Sequence, residues 1–376
     1  MRRYQMARPH IAAREKKYTL EVLNSGVLSL GKKQELFEKK FAKFVGTKYA
    51  CAVSSGTAGL HLAMIASGIG PGDEVITTPF SFVASANAIL YVGAKPVFAD
   101  IDPLTYNIDP KKIECAITGK TKAILVVHIF GQPAEMDPIL KIAQKHHLKI
   151  IEDACESLGA TYKGRMAGAF GESAVFAFYA NKQMTTGEGG IIVTNNKKYH
   201  DLFLSLRNQG RGSNMQWLDH NRLGYNYRMN ELSAAVGLAQ VERLNWLIKD
   251  RQLVAGLYNN FLAPHGELIQ VPEAPPHNTH TWQVYVIRIK NPDISRDKII
   301  LELQKGGIST KPYFPSIHLF SFYKDRFGFK PGDFPVSEAV SNSTIALPFY
   351  IGLKKEDVKY ISNKLIEIIK KHAKRV

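Results

Sequence analysis

Cysteine is scarce in this chain of 376 residues, with three in all, Cys51, Cys115 and Cys155. An odd number in apolar segments excludes a disulfide framework and points to reduced, buried thiols in a cytosolic protein. Long apolar runs are missing as well. The longest, around Ala123–Phe130, is far short of the roughly 20 residues that cross a bilayer, so no membrane partner is expected. Met1–Lys17 is polar and basic with no apolar region after it, which does not read as a secretory signal. The expected location is the cytoplasm. Acidic residues are under-represented, 33 Asp and Glu against 49 Lys and Arg, for a formal charge of +16. Such an excess suits nucleic acid, an anionic membrane or a polyanionic small substrate. The basic residues are scattered, however, without zinc-finger spacing, a basic heptad array or an aromatic–glycine RNA signature, so nucleic acid is not expected. The one dense run, Lys364–Arg375, ends an amphipathic pattern and reads as a solvated helix face. No internal repeat, low-complexity stretch or His/Cys cluster at metal-ligand spacing appears, and no metal is expected.

What is present is an ordinary globular composition, 45% hydrophobic and 22% charged, on a chain long enough for two or three domains. Short runs rich in Val and Ile read as strands at Tyr49–Val53, Glu74–Thr77, Lys95–Ala99, Ala123–Val127, Lys149–Ile151, Ser173–Phe178 and Gly190–Thr194. Helical spacing lies between them at Ala58–Ala66, Ser81–Tyr91, Pro110–Ile117 and Met136–His146, and a long helix starts at an Asn230 cap and runs towards Asp250. This alternation predicts an α/β fold with a mostly parallel central sheet and helices on both faces. After residue 250 the character changes. Trp282–Ile289 alternates like an antiparallel strand, Pro, Gly and aromatics are dense over Lys311–Phe349, and a helix closes the chain at Lys354–Lys371. The expected division is a large domain over 1–250, including an N-terminal segment 1–15, and a smaller α+β domain over 251–376.

Three segments carry chemistry. Ser54-Ser55-Gly56-Thr57-Ala58 follows a strand and opens a helix, which makes it either a plain strand-to-helix turn or a cradle for phosphate. It is not a Walker loop, because the Gly-Lys-Ser/Thr ending is absent. In Ile150-Ile151-Glu152-Asp153-Ala154, carboxylates end a very apolar strand, where ligands bind in open α/β sheets. Asp153 is thus a helix cap or a functional carboxylate, able to hold a proton on a heteroaromatic nitrogen or to bind a metal, the latter disfavoured by the lack of a His/Cys cluster. In the third, Phe176 to Gly190, Lys182 follows an apolar strand and is trailed by three glycines. A lysine in a compact turn between buried strands is desolvated, which should lower its pKa and free the amine to attack a carbonyl.

This third segment resembles the cofactor-lysine region of the DegT/StrS family of sugar aminotransferases, which are fold-type I pyridoxal-phosphate enzymes. Phe37–Ala42, Pro71–Ile76, Phe98–Asp102, His128–Pro133, Gly224–Glu231 and Pro312–Pro315 are similar to that family in the same order, so the resemblance runs from about residue 10 beyond 350. It implies that Lys182 holds pyridoxal 5'-phosphate as a Schiff base and afterwards moves the proton. It implies further that Asp153 pairs with the pyridine nitrogen and that Gly56, Thr57 and Ala58 cradle the phosphate. Phe82 falls where the family stacks an aromatic ring on the cofactor, the alternative being core packing. Asn226 matches a residue that reaches the cofactor phosphate of the neighbouring subunit, with Arg228 beside it. A homodimer with shared active sites is therefore implied. Lys311, Tyr313 and His318 lie in the family's substrate-facing region, though Tyr313 and His318 could equally be packing residues.

Two positions depart from the family. Ala177 stands where a Ser hydroxyl often helps hold the phosphate, and Glu156 stands where many members carry Gln or His. Glu156, expected among the cofactor contacts, is then either protonated beside the cofactor or faces elsewhere. The implied reaction is transfer of an amino group from L-glutamate to a nucleotide-diphosphate keto-sugar, a 4-keto-6-deoxy-hexose in preference to a 3-keto acceptor, for amino-sugar or polysaccharide biosynthesis. Rival readings are an amino-acid transaminase, desulfurase or aldolase of the same fold, and a non-catalytic regulator that retains it. Neither Cys51 nor Cys155 suits a desulfurase nucleophile, and Lys182 argues against the dehydratase branch, where His replaces the lysine.

Overall fold

A computed structural model describes residues 3–212 and 219–374; Arg375, at the end of the basic run, lies outside them. Seven strands form the central sheet: β1 (Tyr49–Val53), β2 (Glu74–Thr77), β3 (Lys95–Phe98), β4 (Thr121–Val127), β5 (Lys149–Asp153), β6 (Ser173–Ala177) and β7 (Gly190–Thr194). Their spatial order is β1-β7-β6-β5-β4-β2-β3. All run parallel except β7, which is antiparallel to both β1 and β6.

Side-chain alternation along these strands builds two cores. Cys51, Val53, Val75, Leu125, Ile151, Val175 and Ile192 face one way and meet Leu60, Leu62, Ile89 and Phe203 of the helices Gly56–Ala66, Ala84–Tyr91 and Lys197–Arg207. Ala50, Ala52, Phe176, Ile191 and Val193 face the other way, onto Phe37, Phe41, Ala234 and Leu238 of the helices Lys32–Val45 and Glu231–Val241. On that face Ile76, Ile124, Val126 and Ile150 pack against Met136 and Ile139.

Several elements differ from the sequence reading. The helix beginning at Asn230, whose Oδ1 caps the Ser233 N–H at 2.8 Å, stops at Val241; a second helix, Leu244–Leu262, follows at once. The helix expected from Ser81 starts at Ala84, and the strand expected from Trp282 starts at Tyr285. Cys115 is exposed rather than buried, because it ends a short surface helix, Pro110–Cys115. Among the described residues no helix is long and apolar enough to cross a membrane.

The C-terminal unit is an antiparallel sheet of Ile269–Gln270, Tyr285–Ile289 and Thr344–Leu347, covered by the helices Leu244–Leu262, Arg296–Lys305 and Lys355–Ala373. The last of these buries Val358, Ile361, Leu365 and Ile369 and turns its lysines outward, so the basic run is a helix face as far as it is described. The proposed division at residue 250 falls within Leu244–Leu262. Leu244 and Leu247 pack with the large sheet, while Val254, Tyr258 and Leu262 pack in the C-terminal core, which Tyr4 also enters.

β5 ends in two carboxylates that alternate to opposite faces. Glu152 is fully buried. Its Oε1 accepts the N–H groups of Phe170 and Gly171, both at 2.7 Å, and its Oε2 accepts that of Gly168 at 2.7 Å and His128 Nε2 at 3.0 Å. His128 Nδ1 accepts the Ala134 N–H at 3.1 Å, so Nε2 carries the hydrogen that Glu152 receives. A carboxylate can accept all four donors, whereas an amide must turn its NH2 towards some of them. Glu152→Gln should therefore lower stability by about 2–4 kcal/mol, read as a fall in the urea unfolding midpoint.

Candidate active site

The carboxyl ends of the parallel strands converge on a cavity of about 480 Å³, the position at which open α/β sheets bind ligands. Ser55 and Gly56 follow β1, Ser81 and Phe82 follow β2, and Val127, Asp153 and Ala177 end β4, β5 and β6. Because β7 runs backwards, Gly189 reaches the same end from its start. Pro312–Pro315 and Phe320 of the C-terminal unit form the facing wall.

At one end the helix Gly56–Ala66 points its N-terminus into this space. Ser55 Oγ caps it by accepting the Ala58 N–H at 3.1 Å. Ala58, expected in the phosphate cradle, thus gives its N–H to the cap and does not line the cavity, whereas Gly56 and Thr57 do. The chain at Gly56 passes so close to β6 that a Cβ there would stand 2.7 Å from the Ala177 methyl and 3.1 Å from Cys155 Sγ. Only glycine fits without moving backbone.

Asp153 lies across the cavity, nearly buried. Its Oδ2 accepts the Ser85 hydroxyl at 2.7 Å, and Ser85 Oγ is 2.8 Å from Ser81 Oγ. Its Oδ1 accepts the Cys155 N–H at 3.2 Å, so one oxygen also braces the local turn. Lys182 sits in the connection between β6 and β7, with Nζ 3.1 Å from Glu156 Oε1. Burial was expected to depress this amine, and it does pull the pKa down. Glu156, through its charge and its hydrogen bond, together with Cys155 and then Asp153, outweighs that pull, and the amine is held above its ordinary value. Glu156 faces the cavity with both oxygens accepting, Oε1 from Lys182 and Oε2 from the Phe130 N–H at 3.0 Å. That N–H is aimed by a left-handed backbone at Phe130, φ 58°, a conformation rare for a bulky residue.

Phe82 is 60% exposed and lines the cavity, so core packing does not account for it. Tyr313 lines it too, its phenol pushed up by burial and then by the Glu156 charge. Lys311 lines an adjoining cavity of about 440 Å³, which shares Tyr179, Asn181 and Tyr313 with the first. His318 does not reach either. It is fully buried, its Nε2 3.0 Å from Glu338 Oε1 and its ring against Phe334, and burial lowers its pKa. Asn226 is exposed and pairs with Asn208, to whose Oδ1 Arg228 Nη1 donates at 3.0 Å; neither lines the cavity of this chain. Ser85 and the Phe130 N–H carried no mark in the sequence, since their partners Asp153 and Glu156 come from distant segments.

The DegT/DnrJ/EryC1/StrS aminotransferase family matches residues 9–366. The chain belongs to this family. Among curated relatives, it is 39% identical over 370 residues to the GDP-perosamine synthase of Caulobacter vibrioides, covering 98% of both chains. It is 41% identical over 374 residues to the spore coat polysaccharide biosynthesis protein SpsC of Bacillus subtilis, covering 96% of both. Among solved structures, Helicobacter pylori PseC, an aminotransferase involved in the biosynthesis of pseudoaminic acid, superposes with a TM-score of 0.93 at 30% identity, over 98% of this chain and 100% of that one. The members are sugar aminotransferases that depend on pyridoxal phosphate, and the cavity of this one fits the group. It offers an amine for the aldehyde, a carboxylate steadied by a serine for the ring nitrogen, and a helix N-terminus opened by glycine for the phosphate. If Ser85 steadies Asp153 in that role, Ser85→Ala should still bind cofactor while kcat falls about tenfold, the worth of one hydrogen bond to a charged group. Steady-state kinetics beside a cofactor absorbance titration checks both.

Proposed function

We propose that this sugar aminotransferase moves an amino group from L-glutamate to a nucleotide-diphosphate keto-sugar, a 4-keto-6-deoxy-hexose. The observation that carries the reading is the single cavity in which Lys182 and Asp153 sit at the strand ends, opposite the Gly56–Thr57 turn. The relative named as a GDP-perosamine synthase, alike over nearly the whole chain, supports a nucleotide-linked sugar as acceptor. A net charge of +16 favours the approach of a diphosphate.

Pyridoxal phosphate, when bound, supplies the electron sink for the carbon that loses or gains the amino group. The protein's residues do the rest. Lys182 Nζ holds the cofactor covalently and, when released, carries the proton to and from the reacting carbon. Asp153 keeps a proton on the ring nitrogen, and Gly56 and Thr57 hold the phosphate. Phe82 covers the ring, and Tyr313 and Lys311 flank the acceptor. Asn226 completes the neighbouring site, with Arg228 supporting it, so the working unit is a homodimer.

L-glutamate alone should abolish the visible absorbance of lysine-bound cofactor and release one 2-oxoglutarate per site. The right keto-sugar nucleotide should then restore the absorbance and yield an amino-sugar nucleotide by mass spectrometry, and Lys182→Ala should do neither. Efficient restoration by ordinary 2-oxo acids, with none by keto-sugar nucleotides, would make the protein an amino-acid transaminase instead. For the shared site, Lys182→Ala and Asn226→Ala subunits, each inactive alone, should regain one intact site per mixed dimer. Verified mixed dimers without activity would count against sharing.

A further inference from the structure

We propose that Glu156 is the proton acceptor for Lys182, its Oε1 taking the proton that Nζ sheds before the amine attacks a carbonyl carbon. This rests on the reading of Lys182 as the cofactor lysine. The two atoms stand 3.1 Å apart, with side chains 14% and 8% exposed. Glu156 is held there twice over: Oε2 accepts the Phe130 N–H at 3.0 Å, and its main-chain oxygen accepts Gln183 Nε2, one residue beyond the lysine. The amine and its acceptor are thereby tied together through backbone as well as side chain.

The step balances within the pair. An N–H bond of the ammonium breaks, an O–H bond forms on Oε1, and the electron pair left on Nζ is the one that attacks. A cation and an anion become two neutral groups. Burial favours that outcome by removing two desolvated charges, while their attraction opposes it. The amine's raised pKa places the resting proton on nitrogen. Other groups face Nζ less suitably. Asp153 is engaged by Ser85 and the Cys155 N–H; the Cys155 thiol is pushed far up by burial and by Asp153; the Tyr313 phenol is pushed up by burial. Glu188 lines the cavity, but among the described residues Glu156 is the side chain in hydrogen-bond contact with Nζ.

The test uses the full-length protein. Borohydride reduction of the holoenzyme first identifies the modified lysine; an adduct elsewhere than Lys182 overturns the underlying reading rather than this contact. The cofactor is then removed, and acetylation of Lys182 by acetic anhydride is followed against pH by peptide mass spectrometry. In Glu156→Gln the midpoint should fall by about one to three pH units. Capture of added pyridoxal phosphate, timed by stopped-flow absorbance and divided by the fraction of free amine that the measured midpoint gives, should slow by about a hundredfold in that variant and recover with added acetate. Glu156→Asp keeps the charge but withdraws the oxygen. Its midpoint should stay near wild type while capture slows, which separates proton transfer from charge and serves if Glu156→Gln does not fold. An unchanged midpoint in Glu156→Gln, or wild-type capture per free amine in either variant, overturns the proposal.

Discussion

The buried carboxylate of Glu152 is the fixed point of this molecule. Four donors from two stretches of chain meet on it: His128 just after β4, and the N–H groups at 168, 170 and 171 that lead into β6. A charge so deep is tolerable only when every lone pair is answered, so these segments have little freedom to shift against one another. The next residue on the strand is Asp153, and its main-chain oxygen accepts the His128 N–H at 3.1 Å. Alternation along β5 therefore turns one carboxylate into an anchor and leaves the other looking into the cavity.

Most of the sheet was legible in the sequence because its strands are short, apolar on both faces and β-branched, and each lies within a residue or two of its expected bounds. The glycines of the 187–190 turn and the Ser-Gly-Thr opening of the helix Gly56–Ala66 were legible for a similar reason, since local conformation demands them. What could not be read was pairing across long separations. Glu152 looked like half of an undifferentiated acidic pair until its partners closed on it. Ser85 is an ordinary helix serine until Asp153 is 2.7 Å away. The expectation for Lys182 failed in sign because burial is written in the apolar flanks, whereas the countering carboxylates are 26 and 29 positions upstream, at Glu156 and Asp153. His318 misled in the opposite direction, being a polar residue in a region of expected contacts whose hydrogen-bonding partner, Glu338, comes from the next helix but one.

The two halves of the chain are joined as much by packing as by sequence. Leu244–Leu262 gives its first turns to one core and its last turns to the other, and Tyr4 crosses back to sit beside Ile308. His10 is held in turn by Arg243 Nη2, which donates to its carbonyl at 2.7 Å. The N-terminal strap also backs the wall that Pro312–Pro315 present to the cavity, since Met6 packs in the cluster that holds Tyr313 and Phe314.

The reversed strand β7 has a kinetic consequence. Ala177 pairs directly with Gly190, so the segment bearing Lys182 is a closed hairpin of about a dozen residues rather than a crossover threaded through a helix. Closing so short a loop costs little chain entropy and needs no distant element to be in place. The amine can find its position while the surrounding walls are still assembling.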